Sequence, residues 1–461
     1  MRNERLARLM REAGFITPDG SLGLKQFARA AKDAAARNGS VKNYTHTYVV
    51  RWLDGIVPRD EATRQAITGA LGRRLGRTVG QDELGFEVPG RVAADIGLRY
   101  AASVPEAVST VTLLWQADLD QVHTLTTTPP NVAVWNEASL SWLVEPGQPA
   151  EASTAGVRVG PTDVARVSMT TEMFGRLDNQ FGGGHARRAL LEFLRGDVAG
   201  LLRGSYTDET GRKLFRAAAE ATLVDAWMSY DAGLHGVAQR YFLQALKLAE
   251  AGNDRLLAAS VLDAMSHQAT YLGWYREAAN LARSARMGTA QTATPTLTAH
   301  FHAMEARALA RIGDAAGCDR AMSDAVRHFE RRRPDEDPEW FQYFDDAELA
   351  AELGHCNRDL GRPADASTYA AQAIADASGQ YTRSDFFAVM VLAHAHLDKG
   401  DDEEACRIAL HGLDIGENLR SARCASYVEE FRQLLAKRGN SAIASDFTDQ
   451  ARGKRLWTPS S

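Results

Sequence analysis

The sequence predicts a mainly α protein with a small helical head, a short mixed connector and a C-terminal α-solenoid. Three observations predict this. One pattern of glycines and small residues returns five times between positions 219 and 412. The first 80 residues are basic, whereas the remainder is acidic. Between head and repeats lies a stretch rich in Val, Thr and Trp that resembles neither.

The totals bound the answer. A chain of 461 residues, 45% hydrophobic and 24% charged, has the composition of a soluble globular protein with two or three domains. No apolar run approaches the roughly 20 residues that span a bilayer, so no membrane partner is expected. The N-terminus, MRNERLARLMREAG, is charged from its second residue and lacks a signal-peptide core. Four cysteines (Cys318, Cys356, Cys406, Cys424) without a CxxC pair read as buried reduced thiols, which suits a cytoplasmic setting. The net charge of −6 hides a split: residues 1–80 hold 15 Lys+Arg against 7 Asp+Glu, leaving −14 on the rest. A basic small domain on an acidic large one fits a nucleic-acid-binding head on a protein-interaction body.

Residues 1–80 read as four helices. The first spans 3–13, with Leu6, Leu9, Met10 and Ala13 on one face. A loop containing Pro18 and Asp19-Gly20 leads to a second helix over 24–37, stopped by Asn38-Gly39. The third runs from 43 to 54 and is closed by Gly55 and Pro58; the fourth follows from Asp60, an N-cap, to Leu75. The stretch Val49-Val50-Arg51-Trp52-Leu53-Asp54-Gly55-Ile56-Val57-Pro58 is similar to the recognition-helix end of the phage-repressor (XRE) class of helix-turn-helix domains. Leu24, Phe27 and Ala28 match that family's second helix, and Leu71-Gly72 its fourth. The segment between Ala28 and Tyr44 is longer than the family's tight turn.

That resemblance implies that Val49 and Trp52 pack inward while the start of the third helix enters the major groove of double-stranded DNA. Asn43, Thr45, His46 and Thr47 then face base edges or phosphates. Lys42 and Arg51 neutralise phosphates, or Arg51 reads a guanine.

Residues 81–160 form the connector. VSTVTLLWQADL and VAVWNEASLSWLV read as short strands, or as one helix and one strand. The stretch 146–156, PGQPAEASTAG, reads as a linker that leaves the head free to move. A helical pattern resumes over 161–218, the start of the body. Within it, Phe181-Gly182-Gly183-Gly184-His185 has the glycines of a phosphate loop but lacks the Lys-Ser or Lys-Thr and the preceding strand, so it reads as a flexible helix–helix connection.

The repeats occupy 219–440. Gly233, Gly273, Gly313, Gly361 and Gly400 are 40, 40, 48 and 39 residues apart. Seven before each glycine stands a small residue: Ala226, Ser266, Ala306, Gly354, Ala393. Five after it come Ala238, Ala278, Cys318, Ala366 and Ala405, and twelve after it Ala245, Ala285, Ala325, Ala373 and Gly412. Each unit therefore reads as helix, turn at the glycine, helix, with small residues where paired backbones approach to roughly 8–10 Å. The pattern resembles the tetratricopeptide repeat (TPR), whose usual period is shorter. A further helix at 417–438 would cap the solenoid; the tail is 441–461, and its end, DQARGKRLWTPSS at 449–461, reads as frayed.

First helices of stacked pairs line the concave face, and the position six before each glycine projects there. It carries Trp227, His267, Arg307, His355 and His394. Neighbouring offsets add Tyr230, Asp263, Tyr271, His300, Arg311, Arg358 and Asp398. Aromatics with both charge signs suit an extended peptide or a polar small molecule as effector. His300-x-His302 and His394-x-His396 cannot chelate one ion, because residues two apart on a helix point about 200° apart. No HExxH, GxSxG or Walker A motif is present, so neither enzyme activity, metal nor cofactor is expected.

The segment starting VGPTDVARVSMTTEMFGRLDNQFGGGHARRALLEFL, with RGSY at 203–206 and AQRYFLQAL at 238–246, resembles actinobacterial regulators that join an N-terminal helix-turn-helix to C-terminal TPRs. The resemblance implies a homodimeric transcriptional regulator of development or secondary metabolism, its solenoid sensing a signal. The alternative is an adaptor that binds a protein partner and no DNA; its basic head would then meet an acidic protein.

Overall fold

A computed structural model describes residues 3–37, 40, 42–56, 58, 60–77, 79–80, 82–84, 95–145, 147–439 and 441–458. The expected stop at Asn38-Gly39, Val57, residues 85–94 of the connector, Pro146 and the last three residues lie outside these. The chain divides into two compact units, Met1–Ala93 and Ala94–Ser461.

The first unit holds α1 (Glu4–Glu12), α2 (Leu24–Arg37), α3 (His46–Leu53) and α4 (Glu61–Leu75). Asn3 caps α1 by accepting from the Leu6 amide, and its Nδ2 donates to the Leu84 carbonyl at 2.8 Å, which ties the start of α1 to the short turn Asp82–Leu84. Ala31, Ala34 and Ala35 of α2 face Ala66, Gly69 and Ala70 of α4 in one core, which lets these backbones pack closely. An aromatic chain fills the rest: Phe15 meets Phe27 at 5.0 Å, and Tyr44 meets Trp52 at 5.5 Å between ring centres. Asp60 caps α4 as expected, and Gly76 ends it in the left-handed region at φ 67°. One boundary differs. The third helix starts at His46 rather than 43, because Thr45 is extended and makes no side-chain cap.

The second unit begins with α5 (Val104–Leu119), α6 (His123–Thr127), α7 (Val132–Val144), α8 (Pro161–Phe181), α9 (Arg187–Phe193) and α10 (Ala199–Leu202). Five pairs follow: α11 (Asp208–Asp231) with α12 (His235–Ala251), α13 (Arg255–Tyr271) with α14 (Tyr275–Gly288), α15 (Pro295–Ile312) with α16 (Ala315–Phe329), α17 (Asp346–Asp359) with α18 (Pro363–Asp376), and α19 (Thr382–Lys399) with α20 (Asp402–Ile415). The chain ends with α21 (Ala422–Lys437) and α22 (Ala442–Ala451). This is a TPR-like α-solenoid.

The five repeat glycines turn each pair with φ between 69° and 89°, a conformation that favours glycine. Ala226, Ala306, Ala393, Ala238, Ala278, Cys318, Ala366 and Ala405 are fully buried. At Gly354 a Cβ would already lie 3.4 Å from the Ala370 amide of the paired helix. The longer 48-residue spacing has a local cause. Two short 3-10 turns, Pro334–Glu336 and Glu339–Phe341, are inserted before α17 and tuck Phe341 and Phe344 against His300.

Two expectations for the connector are corrected. The Val- and Thr-rich segments are helices α5 and α7, and among the described residues only isolated bridges occur. Ser103 caps α5 with Pro105 in its first turn, and Asn131 caps α7; packing then overrides the β-branched composition. Both helices belong to the body, where α5 lies on α12 and α7 on α14. Trp135 stacks edge-on with Trp274 at 4.8 Å, and Trp142 covers Gly288, where a Cβ would be 2.2 Å from the indole. As a result α12 is buried on all sides, and loops take up some of its polar groups: Arg240 donates to the Ile96 carbonyl and Gln239 pairs with the Asn131 backbone. The stretch 147–156 is likewise part of the body. Ala150 donates to the Ala251 carbonyl at 2.8 Å and Ser153 pairs with Tyr206, so it runs along the repeats instead of acting as a free linker.

Candidate functional site on the inner face of the repeats

The offsets read from the sequence do converge. Trp227, Tyr230, His267 and Tyr271 form one aromatic cluster, with the Tyr230 hydroxyl 3.0 Å from His267 Nδ1. His300 Nδ1 lies 2.5 Å from Asp263 Oδ2, Arg307 pairs with Glu352, and Arg358 with Asp359 at 2.8 Å. Arg311 reaches the Tyr275 hydroxyl and stays exposed, as does Asp398; both lie at the rim. The other members are buried or half-buried.

They are buried because the face is not open. The helix expected to cap the end of the solenoid, α21, lies instead across the first helices of the pairs. Arg423 donates Nε to Asp231 Oδ1 of α11 at 2.9 Å and stacks 4.6 Å over the Tyr230 ring. Ser426 meets the Tyr271 hydroxyl of α13 at 2.7 Å. Tyr427 sits beside His355 of α17 (ring centres 5.7 Å apart) and Phe387 of α19 (4.8 Å), with Arg358 5.1 Å over its face. Phe431 stacks with His394 at 5.7 Å. The spacing 423, 426/427 and 431 presents these groups on one side of a helix. The described end of the chain, as far as Thr458, is packed and not frayed. Phe447 of α22 and Trp457 pack at 5.0 Å, and Arg432 lies 4.4 Å over the indole.

A buried ionic seam joins α8 and α11 to α19 and α21. Asp231, fully buried, accepts from the Gly183 amide (2.8 Å), Ser421 Oγ (2.8 Å) and Arg423 Nε (2.9 Å), with Arg383 Nη1 at 3.5 Å. Arg383 also bonds Asp178 at 2.8 Å. Burial alone would raise Asp231, yet Arg383 and Arg423 hold its carboxyl below the usual range, so it is ionised. The glycine run explains itself here. Arg420 donates to the Phe181 carbonyl and accepts from Gly184, and a Cβ on Gly183 would lie 2.3 Å from the Met228 carbonyl oxygen. The run is a close-packed seam, a correction to the flexible connection expected from it.

Burial sets the imidazoles. It pushes His267 and His355 well below their usual value, helped by nearby Arg side chains, and takes His394 down to about 3. His300 is the exception: burial opposes its charge, but the Asp263 carboxylate raises it. His300 and His302 face different neighbours, Phe344 and His328. Among the described residues no three potential metal ligands come together, and no helix is long and apolar enough to cross a membrane. All four cysteines are free and buried.

In the first unit, Val49 and Trp52 point inward, while Asn43, Thr45, His46, Thr47 and Arg51 are exposed on α3 and its approach. Asn43 and Thr45 precede the helix rather than lie on it. Lys42 is engaged by Asp60 at 2.6 Å. Although burial works the other way, Lys42 and Thr63 hold that carboxyl at about 2.

Comparison with known proteins gives three findings. Residues 6–87 match the family model of the SP15 N-terminal domain. No curated protein matches the chain. Solved structures that resemble it include a Rap protein complexed with competence and sporulation factor, at 14% identity over 64% of this chain and 88% of that one, TM-score 0.37. Another is aspartyl phosphate phosphatase F from Bacillus subtilis, at 14% identity over 67% and 98%, TM-score 0.33. Likeness at this level carries no inference about activity.

Sequence reasoning missed Asp231, Arg383, Arg423 and Tyr427. Their residue types carry no motif, and only the closing of the repeats on themselves brings them together.

Proposed function

We propose that the chain is a regulatory adaptor whose repeat body receives a helical segment of a protein partner on its inner face, in place of α21. The observation that supports this is the occupancy of the predicted groove by a helix of the chain itself. A face that holds Arg423, Ser426, Tyr427 and Phe431 in register is chemically fitted to an incoming helix with the same pattern. The internal helix competes by mass action, so the apparent affinity for a partner is lowered by the fraction of molecules in which α21 is docked. A small-molecule effector or a change of oligomeric state that shifts this fraction would regulate the protein.

The test uses the full chain and a labelled peptide covering residues 420–438. In a Tyr427→Ala, Arg423→Ala double variant the peptide should bind saturably, while the wild type binds at least about tenfold more weakly. If hydrogen exchange shows α21 released in the variant and the peptide still does not bind, the proposal fails.

One observation favours a second role for the head. Its Asn43, Thr45, His46, Thr47 and Arg51 are exposed while Val49 and Trp52 turn inward, on a stretch with 15 Lys+Arg against 7 Asp+Glu. This supports duplex DNA as the head's partner, and hence transcriptional regulation by a homodimer on paired half-sites. Anisotropy against random duplex at increasing salt decides it. Affinity should fall steeply with salt and weaken in Arg51→Ala; no binding at low salt would leave an adaptor without DNA.

A further inference from the structure

We infer that the inner face contains a buried oxyanion site between α15, α17 and α19, roofed by Tyr427 of α21, which would take a carboxylate or phosphate group of a small molecule. This rests on the reading of that face as the working surface.

The carrying observation is a set of buried nitrogen atoms without partners. Arg307 Nε, Arg358 Nη1 and both ring nitrogens of His394 are sealed from solvent and make no hydrogen bond. His394 itself is only 2% exposed. The rest of each guanidinium is engaged: Arg307 holds Glu352, and Arg358 holds Asp359 through Nε and Nη2. The unpartnered atoms are therefore the remaining donors of groups already fixed in place. They come from three successive first helices, and two of the three residues flank one ring, Tyr427, with Arg358 5.1 Å and His394 6.4 Å from its centre and His355 at 5.7 Å.

A buried donor left without an acceptor forfeits the hydrogen bond it had with water. Arranging several under one side chain is unusual for a face with only a packing role. The chemistry of the unpartnered atoms selects the occupant. Arg307 Nε and Arg358 Nη1 can only donate, so they call for an acceptor. A cation is disfavoured, whereas an oxyanion accepts several hydrogen bonds at once and pairs with guanidinium groups. Neutral His394 supplies one N–H to it. The Tyr427 hydroxyl makes only a 3.4 Å contact with His355, so lifting this ring gives up its contacts with Phe387 and Arg358 but no strong hydrogen bond. Entry of the anion is thus coupled to movement of α21.

The experiment is isothermal titration of the full chain with inorganic phosphate and, separately, with acetate, ionic strength being fixed with sodium chloride. The site predicts a saturable single-site isotherm with at least one of them, and which one identifies the ligand class. His394→Leu should abolish it or weaken it at least about tenfold, while removing two unpartnered polar atoms from the apo protein. Should that variant misfold, Arg358→Lys keeps the charge opposite Asp359, loses the planar fork and should also weaken binding. No saturable binding of either anion overturns the site, as does undiminished binding in the folded variants. An occupant that is water alone gives the first of these results. Peptide 420–438 binding is read separately, so the site and the adaptor role can fail independently.

Discussion

Replacing Asp231 by Asn should unlock the body at its seam. The side chain is fully buried and accepts from Gly183, Ser421 and Arg423, with Arg383 3.5 Å away. Asparagine keeps the shape but loses the charge, and its amide must point two hydrogens toward donors. Arg423 is then left without a carboxylate partner, and Arg383 retains only Asp178. Breaking one side of a buried ion pair costs about 3–5 kcal/mol, which is a large share of the roughly 5–15 kcal/mol that holds a typical domain folded. Urea denaturation of wild type and variant at neutral pH measures the difference. Asp178→Asn should cost less, since Arg383 still faces Asp231. A loss below about 1 kcal/mol for Asp231→Asn, or equal losses for the two, would refute the seam as described.

Two further predictions concern stability. Gly183→Ala places a Cβ 2.3 Å from a backbone oxygen and 2.9 Å from the Asp231 Cβ, so neither neighbour can yield easily. It should cost about 1–3 kcal/mol by the same denaturation assay, whereas Gly175→Ala, inside α8 with open space around it, should stabilise by about 0.5–1 kcal/mol. Glu348 is pushed up from 4.5 to about 7, by burial first and by Glu352 next. The native state therefore binds a proton that the unfolded chain releases, and stability from this group is full below pH 4.5 and lost as pH rises to about 7. Glu348→Gln should remove that slope and, at pH 8, stabilise by about 3 kcal/mol relative to wild type. Thermal melts from pH 4 to 8 with parallel curves for the two proteins would contradict it.

The parts legible in the sequence were those set by local geometry. The five glycines were readable because each needs positive φ at a tight turn, and the small residues because paired helices touch there. The inner-face positions followed from the same register. Their occupant did not, because an amphipathic pattern such as 423, 427 and 431 shows that a helix has a buried side without saying what covers it. The connector was misread for a different reason. VSTVTLL and VAVW have strand-like composition, but Ser103-Val-Pro-Glu106 carries a helix-start signal, and Glu106 does reach back to the Ala102 amide. The Gly182–Gly184 run suggested freedom, whereas close approach to Arg420 and Met228 was its cause; sequence cannot separate these two uses of glycine.

The most direct test of the account is hydrogen exchange on the intact wild-type protein, read over residues 422–437. A single helix of 16 residues is marginal in water unless it is docked. Docking on the inner face predicts slow exchange in α21, at rates comparable with α19, and release of both together in Asp231→Asn. Exchange within seconds across α21 while α19 remains protected would show the inner face to be open, and would contradict both the adaptor mechanism and the roofed anion site.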